Sequence, residues 1–370
     1  MDESNEADKL VLKTILDRCR TSISTTGEPV DTKNTPHHVC FYNIYHFGDI
    51  YFTQPFVKHV CDANPHITFY YWLTVGQAAY EGIPNLIHLE PISEVTASMI
   101  TTEKNTLIYS LKNKYSYKKH FDFFYENYPH FVRDFSTFEY RGMSFIAFNT
   151  WWSSIFNAED MDYLFLLAGF KKKMLLLNSI FGLSLNFDFE NNKMIPELPL
   201  INMPDHFTEW IKTHRNKNTV FIYNYEPRTA SFLNKEIMNT TISNIGRTNP
   251  HLHIVVPRYD SMFDGLDNIV CCDRDFGFTE NRTCTNLLQI EHILQYCRLV
   301  VTLPSGSTWA FMNRHISSYR DRTAFYLWGE YAYFAKQLNN WCRYYTGRVD
   351  DIIKCVGTND LEVLVRNFNY

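Results

Sequence analysis

The chain has no CxxC pair, no HExxH, no GxGxxG and no internal repeat of solenoid length, which argues against the commonest zinc, redox, dinucleotide and repeat architectures. Its nine cysteines are an odd number scattered from Cys19 to Cys355, and they read as small core residues of a reducing compartment rather than as a disulfide framework. There is no excess of positive charge: the formal net charge is −5, so no broad footprint for a phosphate backbone exists and nucleic acid is not the expected partner. Long apolar runs are missing too. The most apolar stretch, Tyr163 to Leu185, is broken by Lys171-Lys172-Lys173 and reads as a buried segment, not a membrane span. Met1-Asp2-Glu3-Ser4-Asn5-Glu6 is acidic where an export signal would be basic and then apolar, so the expected location is the cytoplasm. Peripheral contact with a membrane surface is left open.

What the chain does have is apolar and aromatic bulk. Hydrophobic residues make up 45% of its 370 residues and aromatics 16%, with 29 Phe and 24 Tyr. Disorder is excluded for most of the length, and two domains are expected because a single core seldom grows so large. Residues 1–36 read as a short helical pattern followed by a polar extension. Residues 37–204 form a first α/β domain and 205–370 a second, with the proline-bearing stretch Asn186 to Pro204 as the connection.

In the first domain the apolar run His38 to Ile44 is a buried strand, Asp49 to Ala63 a helix closed by Pro65, and Ile67 to Leu73 a second strand. Strand, helix and strand with short connections make a βαβ unit with parallel strands. Further strands are expected at Leu86 to Leu89 and Ser144 to Phe148. Residues 105–140 are harder to read; Tyr125, Tyr128, Phe131, Phe135 and Phe138 suit a helical cap or acceptor wall, with ordinary core packing the plainer reading. In the second domain the strands are Thr219 to Tyr223, His253 to Pro257, Asn268 to Cys271, Arg298 to Leu303 and Thr323 to Trp328. The helices are about Ser231 to Asn244, Asn286 to Tyr296 and Thr308 to His315. That alternation implies a parallel sheet covered by helices, hence two Rossmann-like domains with ligands in the cleft outside the carboxyl ends of the strands.

Two loops carry candidate chemistry. Tyr45-His46-Phe47-Gly48-Asp49 follows the first strand, with glycine for a sharp turn and Asp49 at or just before the helix start. Asp49 is either a helix cap or a carboxylate that takes a proton from an acceptor hydroxyl, with His46 able to assist or replace it. Leu303-Pro304-Ser305-Gly306-Ser307-Thr308 lies between a strand and a helix. Backbone N–H groups, hydroxyls and a helix N-terminus there suit an anionic diphosphate, and capping by Ser and Thr is the plainer reading.

His38 to Pro55, with its core Gly48-Asp49-Ile50-Tyr51-Phe52-Thr53-Gln54-Pro55, resembles the amino-terminal signature of the heptosyltransferase-like glycosyltransferases. In that family a Gly-Asp pair follows the first strand and a proline falls six residues after the aspartate. The resemblance implies the GT-B architecture of two facing Rossmann-like domains, the role of catalytic base for Asp49, and a last helix, Asp360 to Phe368, that returns to the first domain. His46-Phe47 stand where the family has a serine- or methionine-rich segment. A Gly-containing turn that usually opens with an acidic residue binds the donor diphosphate in that family; here Pro304-Ser305 replaces the opening, and Ser305, Gly306, Ser307 and Thr308 correspond to the turn.

Arg228, after Tyr223-Asn224-Tyr225-Glu226-Pro227, is the cation expected to neutralise a departing nucleoside diphosphate, with Asn224 as a hydrogen-bonding neighbour. Arg258, after Val255-Val256-Pro257, stands at another strand end suited to base or ribose. Glu330 at a further strand end reads as solvated. No metal is expected: the 14 His show no ligand spacing beyond His37-His38 and His251-Leu252-His253, and of the DxD triplets Asp160-Met161-Asp162 and Asp273-Arg274-Asp275 the second, after a strand, could hold a divalent cation on a diphosphate, but so short a pattern arises easily by chance. The reading is a metal-independent glycosyltransferase with no cofactor, acting on a nucleotide sugar and a carbohydrate or glycan acceptor. The alternatives are a sugar-nucleotide epimerase of the same shape and a non-catalytic sugar- or nucleotide-binding protein.

Overall fold

The computed structural model describes residues 38–43, 47–73, 75–89, 135–140, 143–150, 170, 173–174, 177–178, 183–188, 192–197, 199, 201–214, 218–225, 234–278, 284–305, 308, 311, 313, 323–329, 332–347, 352–357 and 359–368. The expected helix and extension of residues 1–36, and Tyr125, Tyr128 and Phe131, lie outside them.

The first sheet is built on β1 (His38–Asn43), a run buried along nearly its whole length, as a strand covered on both faces must be. Helix α1 (Phe47–Ala63) follows and returns the chain to β2 (Phe69–Leu73) and then β3 (Leu86–His88). β4 (Phe135–Tyr140) and β5 (Met143–Asn149) complete the order β3-β2-β1-β5-β4, all parallel except β4. The helical option for residues 125–138 fails for Phe135 and Phe138. Both belong to β4, which pairs antiparallel with β5 in a hairpin whose last rung is Tyr140 opposite Met143. Segments rich in aromatics and separated by two residues gain ladder hydrogen bonds that a three-residue aromatic spacing does not supply.

After α2 (Asp205–His214) the second sheet runs β6 (Thr219–Ile222), α3 (Lys235–Thr248), β7 (His253–Val256), β8 (Ile269–Cys271), α4 (Thr285–Leu294), β9 (Leu299–Thr302) and β10 (Ala324–Trp328). It closes with α5 (Ala332–Thr346), β11 (Ile353–Val356) and α6 (Leu361–Asn367). The order is β11-β10-β9-β6-β7-β8, parallel at every pairing. The βαβ reading of the sequence therefore holds in both halves. α2, α5 and β11 are additions to it.

The halves are joined by packing as well as by the chain. Phe52 on α1 stacks on Trp341 of α5, with ring centroids 4.7 Å apart. The 3-10 turn Gln77–Tyr80 packs on α4, and one apolar cluster runs continuously from Phe41 to Val365. The connecting segment is held by Gln54, whose amide accepts from Glu197 N at 2.6 Å and donates to Glu197 O at 2.8 Å and to Ala79 O at 2.9 Å. α6 packs on α3 within the second half, where Asn244 donates to Glu362 at 3.3 Å. α5, through Trp341, touches α1.

All eight described cysteines are free thiols. Burial pushes Cys61 and Cys271 up to about 12 and raises Cys40, Cys272 and Cys297, so these sulfurs stay protonated and pack as small apolar groups. Among the described residues no helix is long and apolar enough to cross a membrane.

Trp341 is 4% exposed and its stack is a seam between the halves. Replacing it with Ala is expected to lower the unfolding free energy by about 3–5 kcal/mol, measured by urea denaturation. A loss below about 1 kcal/mol, the scale of a surface substitution, would show that the seam does not depend on this ring.

Candidate active site

In an open parallel sheet the crevice for a ligand lies where successive connections leave the same strand in opposite directions. In the first sheet that place is the carboxyl end of β1, which has β2 on one side and β5 on the other. In the second it lies between β6 and β9: β6, β7 and β8 run outward one way, β9, β10 and β11 the other. Both loops singled out in the sequence leave strands at these two points.

At the first point α1 begins at Phe47, so Gly48 and Asp49 are its second and third residues. Gly48 is therefore helical rather than the sharp turn expected of it. Asp49 sits half-buried in the first turn instead of at the cap, where the unpaired N–H groups and the helix dipole favour a carboxylate. His46 lies outside the described residues.

Behind Asp49 a buried polar knot fixes the strand ends to the helix. The Thr53 hydroxyl donates to Ile50 O at 2.9 Å and meets the Tyr80 hydroxyl at 2.7 Å. Asn43 Nδ2 donates to Thr150 Oγ1 at 3.3 Å, and Thr150 N donates to Tyr42 O at 3.0 Å, joining the ends of β1 and β5. Burial pushes the Tyr80 hydroxyl up to about 12, so it remains a neutral hydrogen-bonding group. Tyr80 is brought there by Gly76, whose φ of 75° is left-handed; a Cβ at that position would fall 2.9 Å from the Phe47 ring.

At the second point Asn224 is buried, and its amide is used within the protein. It donates to Arg258 O at 2.8 Å and to Asn239 Oδ1 at 3.1 Å, and accepts from Arg258 N at 3.0 Å. Asn239 in turn donates to Asp260 at 3.0 Å, and Asp260 pairs with Lys235 at 2.9 Å. Asn224 thus locks the end of β6 to the end of β7 and sets the backbone of Arg258. The Arg258 guanidinium lies over the Tyr225 ring, 3.8 Å from its centroid. Tyr225 is also reached by Asn286 Nδ2 at 3.5 Å, while the buried Asn286 Oδ1 has no partner.

The turn after β9 is closed by Thr308. Its buried hydroxyl meets Thr302 Oγ1 at 2.7 Å and donates to Leu303 O, and its N–H donates to Ser305 O at 3.1 Å. Ser305 is half-buried beside it. Arg228, Gly306, Ser307, Glu330 and the Asp160-Asp162 triplet lie outside the described residues. Of the helix expected at Thr308 to His315, Thr308 and Phe311 are described, each in 3-10 conformation. Phe311 packs its ring on Phe221 and Tyr223 beneath the site.

Beyond Phe311, Asn313 Nδ2 donates to Glu291 Oε2 at 2.6 Å. Glu291 is buried on α4, its Oε1 has no partner, and burial holds its carboxyl well above the usual carboxylate range, with only the Asn313 bond opposing. The sequence did hold a signal for Glu291, a lone carboxylate among Leu287, Leu288, Ile290 and Leu294 on a helical pattern. No local signal marks Asn313, Thr150 or Tyr80.

Among the described residues no group of three or more His, Cys, Asp and Glu is placed to hold a metal ion. Both carboxylates of the second DxD triplet serve local structure. Asp273 Oδ1 accepts from the N–H groups of Tyr259 and Arg274, each at 2.8 Å, and Asp275 accepts from Cys271 N at 2.7 Å and from the Arg274 side chain.

No protein-family model matches the chain, and neither does any curated protein. Among solved structures it is similar to the E. coli heptosyltransferase WaaC with ADP, at 10% identity and a TM-score of 0.41, over 89% of this chain and 99% of that one. It is also similar to the glycosyl transferase family 9 protein from Veillonella parvula DSM 2008, at 10% identity and a TM-score of 0.41, over 91% of each chain.

Glu291 generates a prediction with a definite sign. Its carboxyl is raised in the folded chain, so above the ordinary carboxylate range the unfolded chain binds fewer protons than the folded one and stability falls as pH rises. Glu291→Gln removes that proton linkage. The melting temperature of the variant should exceed that of the wild type by a margin that widens between about pH 5 and pH 8. A margin constant across that window would mean Glu291 is ionised in the native protein.

Proposed function

We propose that the chain is a glycosyltransferase of GT-B type, moving a sugar from a nucleotide-activated donor to an acceptor hydroxyl without a metal or other cofactor. The observation that carries this reading is topological. Each sheet has a switch point, and the loops leaving those points carry the residues that this reading assigns to transfer: Asp49 after β1, and Ser305 and Thr308 after β9. On this reading residues 37–204 and 205–370 are two facing domains with the site between them, and the Gln77–Tyr80 turn against α4 supports a close approach there.

The donor diphosphate lies on the turn, whose N–H groups and hydroxyls suit an anion, with Arg228 countering the charge that develops on the leaving group. Arg258 and Tyr225 offer a cation and a ring face to the base or ribose. A carbohydrate hydroxyl from the side of the first sheet is deprotonated by Asp49 as it attacks the anomeric carbon. His46 is adjacent in sequence and available to assist. Closure of the halves excludes water, favouring transfer over hydrolysis. Free buried thiols agree with work in a reducing compartment such as the cytoplasm.

Two measurements test this. Thermal-shift screening with nucleoside diphosphates and their sugars should identify a ligand that raises the melting temperature by mass action. With that donor, Asp49→Ala should lower the transfer rate by about 10²–10⁴-fold, the usual share of a general base, while nucleotide affinity by calorimetry is kept. Transfer at the wild-type rate in Asp49→Ala would remove Asp49 from the mechanism.

A further inference from the structure

A cavity of about 560 Å³ follows the outer edge of the second sheet, a size within the roughly 300–1,000 Å³ of small-molecule sites. Its walls are one stripe of α2, from His206 through Glu209 and Trp210 to Thr213, the loop 263–267, β8 and the helical turn Cys272–Asp275. β8 ends the sheet, two places from β6, and the cavity shares no residue with either switch-point loop. The walls are held before any ligand arrives. The Trp210 ring lies parallel to His214, centroids 4.9 Å apart, and meets Phe276 edge-on at 5.6 Å. Walls already fixed lower the ordering cost of binding.

The lining excludes several ligand classes. An added peptide strand would find the Ile269 and Cys271 N–H groups already answered, by Leu266 O at 3.0 Å and Asp275 Oδ2 at 2.7 Å. Anions are disfavoured because Glu209, Asp264, Asp267 and Asp275 all line the cavity, while Arg274 is paired with Asp275 at 2.7 Å and Lys212 with Glu209 at 3.1 Å. A wholly apolar ligand would strip water from those carboxylates and return no hydrogen bond. What stands open is acceptor capacity. Among the described residues His206 and Asp267 make no hydrogen bond or ion pair, and they stand on different walls. Asp264 accepts from the Tyr259 hydroxyl at 2.9 and 3.1 Å and keeps further lone pairs. Hydroxyl groups donate to carboxylates without bringing a charge, and aliphatic C–H groups suit Trp210, Leu266 and Phe276. A sugar ring carries both in one rigid body.

We propose that this cavity binds a carbohydrate unit, with Asp267 accepting from sugar hydroxyls, His206 bonding a further hydroxyl, and the wall of Trp210 and Phe276 taking the C–H face of the ring. The site holds its ligand and does not react with it. It goes beyond the transferase reading and does not depend on it.

Calorimetry on the full chain with the methyl glycosides of glucose, galactose, mannose and N-acetylglucosamine tests this. At least one should bind the wild type with a Kd on the order of 1 mM, the strength that a dozen or so ligand atoms supply. Asp267→Ala should weaken that glycoside at least about tenfold, the scale of a hydrogen bond to a charged group, and His206→Ala about two- to tenfold. Both side chains are exposed and unbonded, so the melting temperatures of the two variants should match the wild type. Glu81→Ala, which removes an exposed acid of the first half, should bind as the wild type does. No binding of the four glycosides by the wild type, or binding kept in both Asp267→Ala and His206→Ala, overturns the assignment and leaves the transferase reading untouched. Spermidine bound in preference to every glycoside and released by salt also overturns it, in favour of an acidic site for amines.

Discussion

A strand paired in parallel with its sequence neighbour cannot return through a hairpin; the chain has to cross over, and α1, α3 and α5 carry the crossovers from β1 to β2, β6 to β7 and β10 to β11. That constraint governs nearly every feature of this protein. It obliges β1, β6 and β9 to be apolar on both faces, it directs their carboxyl ends the same way within each sheet, and it gathers the loops that follow them. Side chains far apart in sequence, such as Tyr225 and Arg258 or Asn43 and Thr150, meet for that reason alone.

Gathering loops exposes their backbone groups, and the polar residues that satisfy those groups are what give the two switch points a definite shape. Asn224 answers both backbone groups of Arg258. Thr308 answers the carbonyl of Leu303, and the Thr53, Tyr80 and Thr150 hydroxyls form a knot behind Asp49. None of these contributes much net free energy, about 1 kcal/mol for an ordinary hydrogen bond, yet leaving any one buried and unmade would cost more than that. Their role is to exclude other arrangements of the loops. Glu291 differs from them in being only half satisfied.

Aromatic bulk joins the two sheets into one body of contacts. Phe52 against Trp341 links the first crossover helix to α5, and Gln54, next to Phe52, holds the connecting segment through Glu197. The helix whose amino end carries Asp49 is thereby fixed from three directions: its own strand, the connection and the second half. On the proposed reading Asp49 acts as a base only if its helix is held with respect to the reacting partner, and this packing holds the helix.

Most of the strands, their parallel pairing and the position of the two loops were legible in the residues themselves; β4 and β11 were not. Continuous apolar runs and 3.6-residue periodicity are local, and the βαβ handedness rule turns them into topology. The misreading was local as well: Gly48 lies in a helix rather than a turn. What no local pattern contains is which polar side chains meet. Asn313 and Glu291 are 22 residues apart, Thr53 and Thr150 are 97 apart, and Gln54 reaches across 143 to Glu197. Periodicity depends on one element's own geometry and can be read from its residues. Hydrogen bonds between elements depend on where several crossovers end together, and only the tertiary structure decides that.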